Sequence, residues 1–111
     1  MDDTTIKLVR GDNRPFIKLN LSKSDGTPLD VSDVGTTVSV HFRSVNDEEV
    51  LQTLTCSKLE GGVNGVVSFN FPGNTLDVQP GFYEGEVEIS FDGEKQTLYD
   101  RLKFFVRDQI N

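Results

Sequence analysis

The chain has 111 residues, 18 of them acidic and 11 basic, which gives a formal net charge of -7 at pH 7. This length predicts one domain, residues 1–111, with a single hydrophobic core. The negative charge argues against nucleic acid and anionic membranes as partners, because both attract a positive protein surface.

The N-terminal sequence begins Met1-Asp2-Asp3 and lacks the basic segment and apolar core of a signal peptide. No apolar run approaches the roughly 20 residues needed to cross a bilayer. We therefore expect synthesis in the cytoplasm. The single cysteine, Cys56, excludes an intrachain disulfide, and its position in a predicted strand indicates a free, buried thiol.

Short alternations of apolar and polar residues recur along the chain, separated by Asp, Asn, Gly and Pro. They predict strands at residues 4–9, 16–21, 37–44, 50–57, 66–71 and 82–91, and in a last run that ends at Val106. Residues 29–34 read as a connecting segment, and no helix of useful length is predicted. Seven to eight strands predict an all-β fold, an antiparallel sandwich of immunoglobulin-like or jelly-roll type.

The clearest strand follows the turn Pro80-Gly81. In this strand the apolar residues occupy every second position, and Glu84, Glu86 and Glu88 occupy positions between them. This alternation is typical of a strand with one buried face. Tyr83 near its start resembles the tyrosine corner of immunoglobulin-like domains, in which the hydroxyl bonds back to the preceding loop. The glutamate row predicts a solvated acidic face, or a surface that meets a basic partner.

The sequence offers little catalytic chemistry. Its only histidine, His41, projects from the polar side of a predicted strand and reads as an exposed structural residue. Cysteine and histidine do not cluster, and the acidic groups lack the spacing of a calcium loop. We therefore predict no catalytic, metal or cofactor site, and a protein that is not an enzyme.

The sequence favours contact with another protein, and two features indicate where the contact lies. Phe16, Phe82 and Phe105 have the parity opposite to the apolar set of their strands, so they are either exposed as a docking patch or buried at strand ends. Arg10-Gly11-Asp12 forms an exposed loop, where turn formation is a far better explanation than receptor binding. The predicted contact residues are Arg10, Asp12, Asn13 and Phe82.

Six motifs follow one another in a recognisable order. They are Ile6-Lys7-Leu8-Val9-Arg10-Gly11-Asp12-Asn13, Ile17-Lys18-Leu19-Asn20-Leu21, Asp25-Gly26-Thr27-Pro28-Leu29-Asp30-Val31-Ser32, residues 38–43, Gly65-Val66-Val67-Ser68-Phe69 and Pro80-Gly81-Phe82-Tyr83. Together they resemble the N-terminal domain of phage upper-baseplate proteins, over about residues 6–106. The resemblance implies an immunoglobulin-like virion module that attaches one part of a phage tail to another.

The sequence thus favours a structural protein of a phage particle, located in the virion and made in the host cytoplasm. Its expected partners are other virion proteins, in a homo-oligomer or another symmetric assembly. Two alternatives remain: a capsid-decorating or head-tail protein, and a carbohydrate-binding or adhesion sandwich. The absence of Trp and the presence of only two Tyr weaken the carbohydrate-binding reading.

Overall fold

The computed structural model describes residues 5–45, 47–98 and 101–110. Within these ranges the chain forms nine strands, one short 3-10 segment at Leu59–Gly62 and no α-helix. The strands are β1 (Thr5–Val9), β2 (Ile17–Asn20), β3 (Thr36–Ser44), β4 (Gln52–Thr55), β5 (Ser57–Lys58), β6 (Val66–Phe69), β7 (Gly81–Phe91), β8 (Glu94–Thr97) and β9 (Leu102–Arg107). The predicted all-β class is confirmed.

The strands form two sheets that share one core. The larger sheet has the order β1-β9-β7-β3-β4, with β8 paired to β7 as well, and the smaller has the order β2-β6-β5. Inward residues of both sheets belong to one buried cluster, in which the ring of Phe42 contacts Phe71, Tyr83 and Phe104. This arrangement is consistent with a β-sandwich.

The expectation of wholly antiparallel sheets is wrong. β1 runs parallel to β9, with Ile6 opposite Phe104 and Leu8 opposite Val106, whereas the other strand pairs are antiparallel. The pattern of alternation reports which face of a strand is buried, but not the direction of the neighbouring strand. The parallel direction of β1 follows from the sheet topology, in which the first strand lies beside the last one.

The strand number also differs from the predicted seven to eight, because two predicted runs are divided. The run 50–57 changes sheets at Cys56, so that β4 pairs with β3 and β5 pairs with β6. The final run forms β8 and β9, which pair with different parts of β7. Neither run contains a Gly or Pro that would mark the division in the sequence.

One glycine makes room for the aromatic core. Gly85 lies on the inward parity of β7, and a Cβ placed there would stand 2.8 Å from Cγ1 of Val40 and 3.0 Å from Cε2 of Phe104. Both distances are shorter than an ordinary van der Waals contact. The Phe104 ring therefore occupies the space that a side chain at this position would need.

Candidate functional site

The outer face of the larger sheet carries an exposed apolar ridge. Phe82 on β7 lies opposite Phe105 on β9, and their ring centroids are 4.9 Å apart. Val45 follows β3, and its amide donates to the carbonyl oxygen of Phe82. Phe82 is 62% exposed and Val45 38% exposed. We call Phe82, Phe105 and Val45 the aromatic ridge.

Opposite charges border the aromatic ridge on its two sides. On the β1 side Lys7 lies opposite Phe105, and Arg107 is two residues further along β9. On the β3 side the chain enters the loop between β3 and β4, where Asp47, Glu48 and Glu49 are exposed. We call Lys7 and Arg107 the basic flank and these three acidic residues the acidic flank.

The structure decides whether the phenylalanines on the polar side of their strands are exposed or buried at strand ends. Phe82 is not buried at the end of its strand; it is exposed and packs against Phe105, which is half-buried. Phe16 is 70% exposed, but it precedes β2 in the smaller sheet and has no part in the ridge. The predicted aromatic surface therefore exists, but only two of the three phenylalanines form it.

The first loop is fastened to the chain around it. Arg10 approaches Asp77 at 3.6 Å, its backbone amide donates to the carbonyl of Arg107, and Asn13 accepts a hydrogen bond from Asn70. Asp12 is exposed, and its backbone amide closes a turn by donating to Val9. The predicted contact residues Arg10, Asp12 and Asn13 thus form an ordered turn.

This loop and the aromatic ridge lie at the same end of the larger sheet. Arg107, whose carbonyl receives the amide of Arg10, is two residues beyond Phe105 on β9. Burial raises the pKa of the Tyr83 hydroxyl, and the nearby charge of Arg10 acts in the opposite direction. The structure therefore brings the first loop and Phe82, the two sequence-predicted contact regions, to one end of the molecule.

The glutamate row is paired within the chain rather than freely solvated. Glu84, whose side chain is 14% exposed, accepts a 2.7 Å bond from Nε of Arg43, and Arg101 lies 3.4 Å from the same oxygen. Glu86 is 3.9 Å from Arg101. These arginines offset part of the charge of Glu84 and Glu86 and leave the row less suited to a basic partner.

His41 has more partners than the sequence suggested. Its Nδ1 is 3.1 Å from the Thr53 hydroxyl, and its Nε2 is 3.4 Å from Oε1 of Glu88. A hydroxyl, an imidazole and a carboxylate are also the groups of a catalytic triad. Here they come from three adjacent strands, and β3, which carries His41, is paired on both sides. The contacts join the strands across the sheet face and supply no oxyanion donor from β3.

Cys56 is free and buried, as predicted. Desolvation raises the pKa of its thiol to about 12. The side chain lies where the chain leaves β4 for β5, and its backbone amide donates to Val38. A thiol with this pKa is almost wholly protonated at neutral pH, so it is a poor nucleophile.

An open groove of about 760 Å³ lies where β2 approaches the β8 and β9 segments. Its apolar lining comes from both sheets and includes Leu19, Leu29 and Leu98. Among the described residues, Lys23 is the one charged member of its lining. This groove has no connection with the predicted contact residues.

Searches of the sequence against protein-family models and against curated proteins give no match. Among residues 5–45, 47–98 and 101–110, no helix is long and apolar enough to cross a membrane. No group of three or more His, Cys, Asp or Glu that could hold a metal ion occurs in the same ranges.

The parity of their strands identified Phe82 and Phe105 from the sequence, but not the residues beside them. Val45 and Lys7 gave no signal, because each is an ordinary strand-end or edge residue. Only the register of β1, β9, β7 and β3 places them in one row. The sequence would have indicated that Phe105 lies beside Phe82 only if the pairing of β9 with β7 had been known.

Proposed function

We propose that this protein is a non-enzymatic structural component of a phage particle, an attachment module of the tail or baseplate that packs against other virion subunits. The observation that carries the proposal is the aromatic ridge, in which the exposed ring of Phe82 packs against the half-buried ring of Phe105 on the outer face of the larger sheet. An exposed cluster of this kind on a small acidic domain is typical of a protein contact surface.

The fold supports the finer part of the proposal, an immunoglobulin-like sandwich. The smaller sheet, β2-β6-β5, corresponds to strands B, E and D of such domains, and β9-β7-β3 of the larger sheet corresponds to strands G, F and C, whereas β1 pairs with β9 instead of joining the smaller sheet. Tyr83 donates its hydroxyl proton to the carbonyl of Gln79 in the preceding loop, as the tyrosine corner requires. Gly85 stands where many such domains have their second cysteine.

The order of sequence motifs supports the phage assignment. The motifs at residues 6–13, 17–21 and 80–83 that resemble upper-baseplate domains coincide with β1, β2 and the start of β7. In an attachment module, each copy contributes a modest contact, and the symmetry of the assembly multiplies these contacts into a stable joint. The partners are then other virion proteins, and the location is the virion.

Immuno-electron microscopy of purified particles from the source tests this proposal. Antibody raised against the folded chain is expected to label the tail end of the particle. Label over the head would replace the attachment function with capsid decoration. Absence of label from every particle, with the antibody shown to recognise the denatured and native chain, would overturn the virion assignment.

A further inference from the structure

We infer that the aromatic ridge binds a second copy of this chain, about a two-fold axis that lies between the two sheet faces and runs parallel to β7. The inference names the partner of the surface on which the proposed function rests. It concerns the isolated chain in solution, so it is tested apart from any particle.

The first argument is the distribution of charge around the ridge. Lys7 and Arg107 form its basic flank, and Asp47, Glu48 and Glu49 form its acidic flank. Within the described part of the chain, none of these five side chains takes part in a salt bridge. The aromatic ridge therefore separates two opposite sets of charge that are available to a partner.

The second argument is symmetry. A two-fold axis parallel to the strands places each side of the face over the opposite side of the second copy. Phe82 then lies over Phe105 of the second copy, and Lys7 lies over Val45, the residue from which the chain enters the loop of the acidic flank. A two-fold axis perpendicular to the strands would bring like charges together, which is unfavourable. The ridge is thus complementary to itself in one orientation, as an isologous contact requires.

The third argument concerns the net charge, which has to allow two copies of an acidic chain to associate. The chain carries a net charge of -7, so two copies repel each other at long range. At an ionic strength near 0.15 M this repulsion is screened beyond about 8 Å, whereas charges that meet across the contact are screened less. Apolar contact and the paired flanks then favour association, and we expect a weak, reversible dimer that an assembly would strengthen.

Sedimentation equilibrium of the full chain, from micromolar to millimolar concentration, provides the first test. Phe82→Ser is expected to raise the dimer dissociation constant by about 10-fold or more. Phe16→Ser removes an equally exposed ring from the other sheet and is expected to leave the constant unchanged. A wild-type chain that stays monomeric throughout, or equal effects of the two variants, would overturn the inference.

Charge reversal provides a sharper test of the orientation. Lys7→Glu combined with Arg107→Glu makes both flanks acidic, and Glu48→Lys combined with Glu49→Lys makes both flanks basic. Each variant alone is expected to be monomeric. A mixture of the two is expected to form a heterodimer, because every flank then faces its opposite.

The control variant has the same net charge as the first flank variant, but its two substitutions lie away from the ridge. Lys18→Glu combined with Lys23→Glu changes the charge by the same amount as the first variant, on the other sheet and its adjoining loop. It is expected to dimerise like the wild type and to gain no selective affinity for the Glu48→Lys, Glu49→Lys variant. Failure of the flank variants to form a heterodimer would reject the two-fold arrangement, and equal pairing by the control would do the same.

The two proposals fail separately. A chain that labels the tail in microscopy but is monomeric in solution overturns the self-association and leaves the attachment function standing. A chain that dimerises through the ridge but labels no particle overturns the virion function and leaves the dimer standing.

Discussion

The hydroxyl of Tyr83 donates a hydrogen bond to the carbonyl oxygen of Gln79, at 2.5 Å, and so ties the start of β7 to the loop before it. The Tyr83 ring is also stacked on Phe42, with centroids 5.2 Å apart. One side chain therefore links the loop, the core and the strand that carries Phe82. This link holds the aromatic ridge in position against the rest of the sandwich.

Replacing Tyr83 with Phe is expected to lower the free energy of unfolding by about 1 to 2 kcal/mol, because it leaves the Gln79 carbonyl without its donor while the ring remains. Urea denaturation followed by circular dichroism measures the change. A loss below the error of the measurement would show that the bond contributes nothing to stability.

Replacing Gly85 with Ala is expected to destabilise the fold by about 1 to 3 kcal/mol, because the new methyl group would collide with Val40 and Phe104. Thermal unfolding provides the measurement. Gly73→Ala is a useful comparison, since its destabilisation would come from its positive φ of 61° and not from a collision. Rescue of Gly85→Ala by Phe104→Leu, which shortens the opposing side chain, would identify the collision as the cause.

The charged pairs on the outer face are expected to differ in strength. Glu84→Gln weakens a short, half-buried contact with Arg43 and should cost about 1 to 2 kcal/mol. Glu86→Gln affects only a 3.9 Å contact with the exposed Arg101 and should cost less than about 0.5 kcal/mol. Chemical denaturation of both variants at low and high salt checks the ranking, and the reverse order would contradict it.

Cys56 is expected to react slowly with a thiol reagent at pH 8 in the native protein and rapidly after unfolding in urea. Burial raises its pKa to about 12 from an ordinary value of 9.0, so the native thiol stays protonated while an unfolded one begins to ionise. A native rate equal to the unfolded rate would contradict this burial.

The same pKa difference predicts how stability depends on pH. Above about pH 9 the unfolded chain loses the Cys56 proton and the folded chain keeps it, so the free energy of unfolding decreases as pH rises toward 12. Cys56→Ala should show a shallower decrease over this interval, since other groups titrate equally in both proteins. Parallel pH profiles of the two proteins would contradict the assignment.

The sequence by itself determined the all-β class and which residues of each strand face inward. Alternation with a period of two depends only on the chain's own geometry, so Val38, Val40 and Phe42 could be placed in the core without knowing their neighbours. The same parity argument marked Phe82 as either exposed or buried at a strand end, and the structure shows it exposed. Turn residues gave most strand ends to within one or two positions.

Only the tertiary structure decided which strands are neighbours, and the candidate site depends on that choice. The parallel pairing of β1 with β9 brings Lys7 beside Phe105, and the pairing of β9 with β7 brings Phe105 beside Phe82. The change of sheet at Cys56 likewise depends on which partner each half of the run finds. These contacts join residues far apart in sequence, and their register follows from packing across the whole core, which no local pattern contains.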